Sequence, residues 1–183
     1  LYLWATRFRR FYHPWSVMLM VNEMIAVGLG EIKVSKNPDS TLVCFGLGSC
    51  VAVGIYDSIN RIGGMAHVVL PDSSIGLAHG SPGKYADTAI PALIEQLKAA
   101  GARKSHMRVK IAGGAKMFAS SPGLSNVLDV GTKNVAAVKK ALASCGLRIA
   151  AEDCGGRAGR TFMLSLKDGV ARVRTLGRSE IEL

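Results

Sequence analysis

The sequence CFGLGSCVAVGIYDSINRIGGMAHVVL, residues 44–70, decides the fold of this chain. Two apolar runs flank the polar segment 57–60, a pattern that predicts a β-hairpin with the polar segment as its turn. A turn centred on that segment pairs Cys50 with His67 across the two strands. Cβ atoms of directly opposed residues lie about 4.5–5.5 Å apart. The pattern therefore predicts a thiol directly beside an imidazole.

A glycine-containing loop precedes the predicted nucleophile. Gly46 and Gly48 allow a tight backbone path. The loop around Gly48 and Ser49 is therefore expected to aim its amides at an oxyanion. An imidazole partner can take the thiol proton and later protonate a leaving group. These features predict a cysteine-dependent acyl-transfer enzyme. The alternative is that Cys50 is a small apolar core residue, as free cysteines often are.

The rest of the chain alternates short strands with two helical stretches. One helix is predicted over residues 85–100, where Pro91 implies a kink or a late start. The other is capped by Thr132 or Asn134 and ends at Gly146. Strands are predicted at residues 31–34, 41–45, 51–56, 62–70, 107–112, 147–151, 162–166 and 170–173. This order predicts an α+β fold, with a mostly antiparallel or mixed sheet and at least two helices packed on it.

The chain of 183 residues is long enough for one domain with its own core. Residues 1–23 are aromatic and arginine-rich and lack clear periodicity. We expect them to be an N-terminal extension that is poorly ordered or not native. Residues 24–183 are expected to form a single domain, with no linker inside it.

The charge balance is basic, with 23 Lys and Arg against 13 Asp and Glu and a net charge of +10. The basic residues are dispersed, with no block of five or more like charges. Aromatic side chains are not interleaved with them, as a single-stranded nucleic-acid groove requires. We therefore expect no nucleic-acid partner. An acidic protein surface is the favoured partner.

The four cysteines, at positions 44, 50, 145 and 154, form no Cys-x-x-Cys motif. The histidines do not complete a zinc pattern, so we expect no metal and no cofactor. The apolar stretch near the N-terminus is too short to span a bilayer and lacks a clean cleavage site. We therefore expect a cytoplasmic protein with reduced thiols and no membrane insertion.

The chain carries five motifs in this order: GLGSCVAV (46–53), GGMAHVVLP (63–71), KYAD (84–87), KIAGGAKMF (110–118) and GGRAGR (155–160). With these motifs, the chain resembles the CheD family of chemoreceptor glutamine deamidases from about residue 24 to about residue 173. The pair of motifs around Cys50 and His67, in this order and separation, is specific to that resemblance.

The resemblance implies a layered α/β/β sandwich with a Cys-His-Thr triad. It implies hydrolysis of selected chemoreceptor glutamines to glutamate and ammonia. Cys50 and His67 match the first two triad members, but Cys44 stands where the family usually has threonine. Thiol sulfur is a poor hydrogen-bond acceptor. Either a backbone carbonyl orients His67, or Thr41 takes the third place, or activity is weakened.

The implied partners are the cytoplasmic helices of methyl-accepting chemoreceptors and a CheC-type phosphatase. A second hypothesis stays open, because Cys44 replaces the usual threonine of the family. The chain would then be a non-catalytic or weakly active adaptor that binds chemoreceptors and the phosphatase.

Overall fold

A computed structural model describes residues 23–75, 81–116 and 129–183. Within these ranges the chain forms ten strands and two α-helices. The strands are β1 Glu23–Ala26, β2 Ile32–Ser35, β3 Ser40–Leu47, β4 Val51–Asp57, β5 Ile62–Val68, β6 Met107–Gly113, β7 Ile149–Cys154, β8 Arg160–Ser165, β9 Ala171–Thr175 and β10 Ile181–Glu182. The helices are α1 Ala86–Ala99 and α2 Val130–Ser144. None of the helices in the described ranges is long and apolar enough to cross a bilayer.

The strands form two sheets of five. The central sheet has the order β2-β5-β4-β6-β7, and the outer sheet has the order β1-β3-β8-β9-β10. Each sheet contains one parallel pair, β6 with β7 and β1 with β3, and its other pairs are antiparallel. The predicted α+β class, with mixed sheets and two helices, is confirmed.

The central sheet is covered on both faces, which explains the apolar runs of its middle strands. Every residue of β4 and β5 is buried. Val51 and Val53 of β4 join the core formed with the helices. Ala52 and Tyr56 of the same strand join a second core with the outer sheet. The layers are therefore helices, central sheet and outer sheet, as the resemblance implied.

A glycine on the inner face of the central sheet sets how closely the two sheets approach. A Cβ atom on Gly54 would lie 3.0 Å from Cε1 of Phe162. That distance is shorter than an ordinary carbon–carbon contact of about 3.5–4.0 Å. The small residue in β4 thus leaves room for a fully buried aromatic ring of the outer sheet.

The hairpin of β4 and β5 forms as predicted, but its register differs. Asp57 pairs with Ile62 and Ala52 pairs with His67, so the predicted direct pairing of Cys50 with His67 is wrong. The reason lies in the turn, where a carboxylate oxygen of Asp57 accepts hydrogen bonds from the amides of Ile59 and Asn60. These bonds move the turn centre one residue towards the C-terminus.

The register change keeps Cys50 and His67 on the same face. Cys50 lies two positions before Ala52, the direct partner of His67. Side chains two positions apart on a strand point to the same side. The two candidate catalytic side chains are therefore diagonal neighbours, with Cα atoms about 7–8 Å apart in such a pair.

Helix α2 begins earlier than predicted. Its N-cap is Asp129, whose carboxylate accepts a hydrogen bond from the amide of Thr132 at 3.1 Å. Thr132 and Asn134 therefore lie inside the helix, and the predicted caps are wrong. Helix α1 is continuous from Ala86 to Ala99, with Pro91 inside it. The predicted N-terminal extension lies outside the described residues except for Glu23, which opens β1.

Candidate active site

Cys50 lies at the end of the loop between β3 and β4, immediately before the central strand of the central sheet. Its side chain is half-buried. The loop is fastened by the segment after β6, because Ala115 N–H donates to Gly48 O at 2.7 Å and Gly114 N–H donates to Cys50 O at 2.8 Å. Main-chain hydrogen bonds therefore hold the backbone both before Cys50, at Gly48 O, and after it, at Cys50 O.

His67 lies near the end of β5 and is only 3% exposed. Its backbone is bonded to the connection between β1 and β2, since Gly30 N–H donates to His67 O and His67 N–H donates to Glu31 O. Its ring nitrogen Nδ1 lies 3.1 Å from the carbonyl oxygen of Val27, which follows β1. Both the backbone and the ring of His67 are therefore fixed by one short connection.

The bond to Val27 determines the tautomer of the imidazole. A carbonyl oxygen can only accept, so Nδ1 carries the proton and donates it. Nε2 is then an unprotonated acceptor. Nε2 is buried and has no hydrogen-bond partner among the described residues. The arrangement suits Nε2 to take a proton from a neighbouring group.

Burial favours the uncharged form of both candidate groups. Burial lowers the pKa of His67, and the bond to Val27 opposes this change. Burial raises the pKa of the Cys50 thiol, and the residue's own backbone amide opposes this change. These shifts favour a neutral thiol beside a neutral imidazole over a thiolate–imidazolium pair. Proton transfer from such a thiol to the imidazole is general-base chemistry.

Cys44 lies in the core between the two sheets. It is fully buried, and its sulfur lies 3.4 Å from the sulfur of Met65. Burial, with a smaller effect from Cys50, raises the pKa of the Cys44 thiol far above its ordinary range. Thr41, the other candidate for the third position, pairs in the outer sheet with Met24 and Ser165. The group that the structure places against the Nδ1 atom of His67 is the main-chain carbonyl of Val27.

Two groups of this site were not identified by the sequence analysis. A backbone carbonyl was one of its alternatives for orienting His67, but Val27 carries no side-chain signature that identifies it. Asn134 is completely buried in α2, and its Nδ2 donates at 2.9 Å to Ser49 O and at 2.9 Å to Val69 O. A signal was available for Asn134, because it shares a helical face with the buried Val138 and Leu142. A polar residue in that apolar stripe needs hydrogen-bond partners.

A second glycine loop, residues 154–159, is bonded to the segment after β6 that also fastens the first loop. Gly155 N–H donates to Gly113 O, and Lys116 N–H donates to Gly156 O, both at 2.8 Å. Arg160 holds this loop through bonds to Asp153 and to the carbonyl of Gly155. Within the described ranges, no cluster of three or more His, Cys, Asp or Glu side chains is arranged to hold a metal ion.

Comparison with known proteins finds one family and many relatives. The family model described as CheD chemotactic sensory transduction matches residues 69–175. A protein of Symbiobacterium thermophilum named "Probable chemoreceptor glutamine deamidase CheD" is 51% identical over 159 residues, covering 86% of this chain and 96% of its own. Proteins with the same name in Clostridium novyi and Methanococcus maripaludis are 44% and 49% identical, covering 86% and 82% of this chain and 96% and 94% of their own.

The alignment with the Symbiobacterium protein extends over the site. An aligned stretch covering 86% of this chain includes Cys50 and His67 wherever it begins. The crystal structure of the Bacillus licheniformis hypothetical protein YfiH aligns with a TM-score of 0.44 and 12% identity, covering 72% of this chain and 59% of its own. That similarity is too distant to bear on function.

Proposed function

Because this chain belongs to the CheD family, we propose that it hydrolyses glutamine side chains of chemoreceptors with Cys50 as nucleophile and His67 as base. The observation that carries the catalytic assignment is the imidazole of His67. It is anchored through Nδ1 to Val27 O and leaves Nε2 unpartnered among the described residues, on the face that it shares with Cys50.

The reaction follows the order of acyl transfer through a thioester. Nε2 of His67 takes the thiol proton, and the Cys50 sulfur attacks the carboxamide carbon of the substrate glutamine. Loop amides beside Ser49 stabilise the oxyanion of the tetrahedral intermediate. The protonated imidazole then gives its proton to the departing nitrogen, which leaves as ammonia. Water, deprotonated by His67, attacks the thioester carbon, and the products are glutamate and the free thiol.

We assign the third position of the triad to the carbonyl of Val27. An acceptor at this position keeps the proton on Nδ1 and stabilises the imidazolium that forms during the reaction. The bond of 3.1 Å supplies such an acceptor. With this assignment, the triad does not need the usual threonine, whose position is occupied here by Cys44. The sulfur of Cys44 contacts the sulfur of Met65. Thr41 is the competing assignment.

Burial favours uncharged forms of Cys50 and His67, and this preference fits an amide substrate. An amide is a poor electrophile, and its attack needs proton transfer to be coupled to bond formation. Cys50 is half-buried, so part of the residue is exposed to solvent. A glutamine presents its carboxamide at the end of two methylene groups, which suits a thiol set slightly below the surface.

The test is ammonia release from a chemoreceptor cytoplasmic fragment, with mass spectrometry to locate the converted glutamine. Cys50→Ala is expected to abolish release, since no other group replaces the nucleophile. Cys145→Ala is the matched control, because this half-buried cysteine caps the end of α2. We expect it to retain the wild-type rate. Full activity in Cys50→Ala would exclude the mechanism.

A CheC-type phosphatase is a further partner that we propose on family grounds, together with a cytoplasmic location. The departure at Cys44 motivates the adaptor alternative, in which receptor and phosphatase binding persist without catalysis. His67→Ala separates the two functions. A deamidase loses ammonia release and keeps binding. A pure adaptor shows no ammonia release even as the wild-type protein.

A further inference from the structure

Asn134 connects the loop of the nucleophile to the strand of the base. It lies in the second turn of α2 and is completely buried. One proton of its side-chain amide goes to Ser49 O and the other to Val69 O, each at 2.9 Å. Ser49 directly precedes Cys50, and Val69 lies two residues after His67. A single side chain therefore bonds the backbone beside both candidate catalytic residues.

The bond to Ser49 fixes the direction of an amide of the site. Ser49 C=O and Cys50 N–H belong to the same peptide unit, which is planar and trans with its C=O and N–H pointing in opposite directions. Since Asn134 holds this carbonyl towards α2, the N–H of Cys50 points away from the helix. Rotation of the peptide unit would break the bond to Asn134.

The neighbouring peptide units are held in the same manner by main-chain donors. Gly48 O accepts from Ala115 N–H, and Cys50 O accepts from Gly114 N–H. The carbonyl of Ser49 lies between them, and its donor is a side chain. Of these three carbonyls, it is the one whose donor a point mutation removes without altering the backbone.

We propose that Asn134 is a positioning residue that aims the backbone N–H of Cys50 at the oxyanion formed during glutamine hydrolysis. This inference rests on the proposed function. It adds a residue from α2 to a site otherwise built from the two sheets and their loops. Asn134 acts through the peptide unit of Ser49 and Cys50 and does not contact the substrate.

Two further observations support this role. The backbone amide of Cys50 lowers the pKa of the residue's own thiol, in opposition to burial, so this amide acts on the atom that attacks the substrate. Moreover, Oδ1 of Asn134 is buried without a partner among the described residues. An unpaired buried oxygen is unfavourable for stability, so packing alone does not account for an asparagine here.

Asn134→Leu tests the proposal. It keeps a side chain of similar size but cannot donate to Ser49 O. We expect kcat for glutamine hydrolysis to fall by about 10- to 100-fold, somewhat less than the loss of a whole oxyanion donor. KM should stay unchanged, because binding of the substrate does not depend on the oxyanion. Unchanged kcat, or a loss of kcat/KM that lies in KM alone, would overturn the proposal.

Val138→Ala is the matched control for stability. Val138 lies one turn further along the same buried face of α2 and packs in the helical core. Its truncation loosens the helix without removing a bond to the loop. A fall of kcat in Val138→Ala equal to that in Asn134→Leu would assign the effect to helix packing and overturn the proposal.

A second measurement is independent of activity. Labelling with 15N-cysteine gives one amide resonance for each of the four cysteines. Asn134→Leu should move the Cys50 resonance and leave that of Cys44 in place. If the leucine variant does not fold, Asn134→Ser serves in both measurements. An unmoved Cys50 amide refutes the inference even where hydrolysis is absent, whereas absent wild-type hydrolysis with a moved amide refutes the proposed function alone.

Discussion

The imidazole of His67 is held by a main-chain carbonyl, which is one of the alternatives that the sequence leaves open. The sequence placed a thiol, a threonine or a carbonyl as candidates for the third position, and the bond goes to the carbonyl of Val27. No pattern of side chains predicts a main-chain acceptor from a residue 40 positions earlier in the chain. The position of Cys50 and His67 on one face of the hairpin could be predicted from the alternation of residues along the two strands.

The burial of His67 predicts where activity is lost on the acid side. Since its pKa is lowered, kcat/KM should fall with a midpoint below the ordinary histidine value of about 6.5. Below that midpoint the imidazole is protonated and cannot accept the thiol proton. A pH profile of ammonia release measures this midpoint.

Alkylation of Cys50 supplies the companion measurement. Burial raises the thiol pKa, so the alkylation rate should climb with a midpoint above the ordinary value of about 8.5. The opposite result would be a pH profile of ammonia release whose acid-side midpoint lies above pH 7, together with rapid alkylation of Cys50 at low pH. It would indicate a thiolate–imidazolium pair and contradict a neutral thiol and imidazole.

At the scale of elements, the hairpin was predictable and its register was not. The alternation of residues and the turn residues located both strands. The position of the turn, however, is set by the side chain of Asp57, which accepts hydrogen bonds from two backbone amides. Likewise the helical period located α2, while its first turn was decided by Asp129. Short-range capping bonds of this kind compete closely in energy. Sequence patterns therefore locate elements better than their ends.

The end of β6 gives a prediction at this scale. Gly113 has φ of +121°, and a Cβ atom there would overlap the carbonyl oxygen of Cys50. Gly113→Ala should therefore push the Cys50 peptide out of place. We expect kcat to fall by about 10-fold or more and stability to fall by about 1–3 kcal/mol. Ammonia release and urea unfolding measure the two effects.

Gly177→Ala is the control for backbone strain. Gly177 also has a positive φ, of +74°, but nothing lies within 4 Å of the Cβ position. This variant should lose about 1–2 kcal/mol from the left-handed backbone alone and keep its kcat. Equal losses of kcat in both variants would show that the contact with Cys50 is irrelevant.

At the scale of the whole molecule, the layered architecture could be predicted only through the resemblance. Strand patterns gave one mixed sheet, whereas the structure divides its strands between two. The division depends on which strands pair over long distances. For example, β3 pairs with β8 more than 100 positions later. Such pairing is set by the summed burial of two faces, which no local pattern records.

The net charge of +10 leads to a prediction about substrate encounter. If the receptor surface around the modified glutamines is acidic, kcat/KM should fall several-fold as salt rises from about 0.05 to 0.5 M. kcat should not change, since chemistry occurs after docking. Initial rates at several salt concentrations measure this, with a short uncharged glutamine peptide as control. A flat kcat/KM for the receptor fragment would contradict it.

The contact between Val27 and His67 has a consequence for genetics. The acceptor is part of the polypeptide backbone, and every amino acid at position 27 supplies the same oxygen. Under the proposed mechanism, a saturation screen for lost glutamine hydrolysis recovers codons 50 and 67, whereas substitutions at codon 27 act through the buried Val27 side chain and leave the oxygen in place. Only chemical synthesis, with an ester linkage in place of the following amide, would weaken that oxygen as an acceptor.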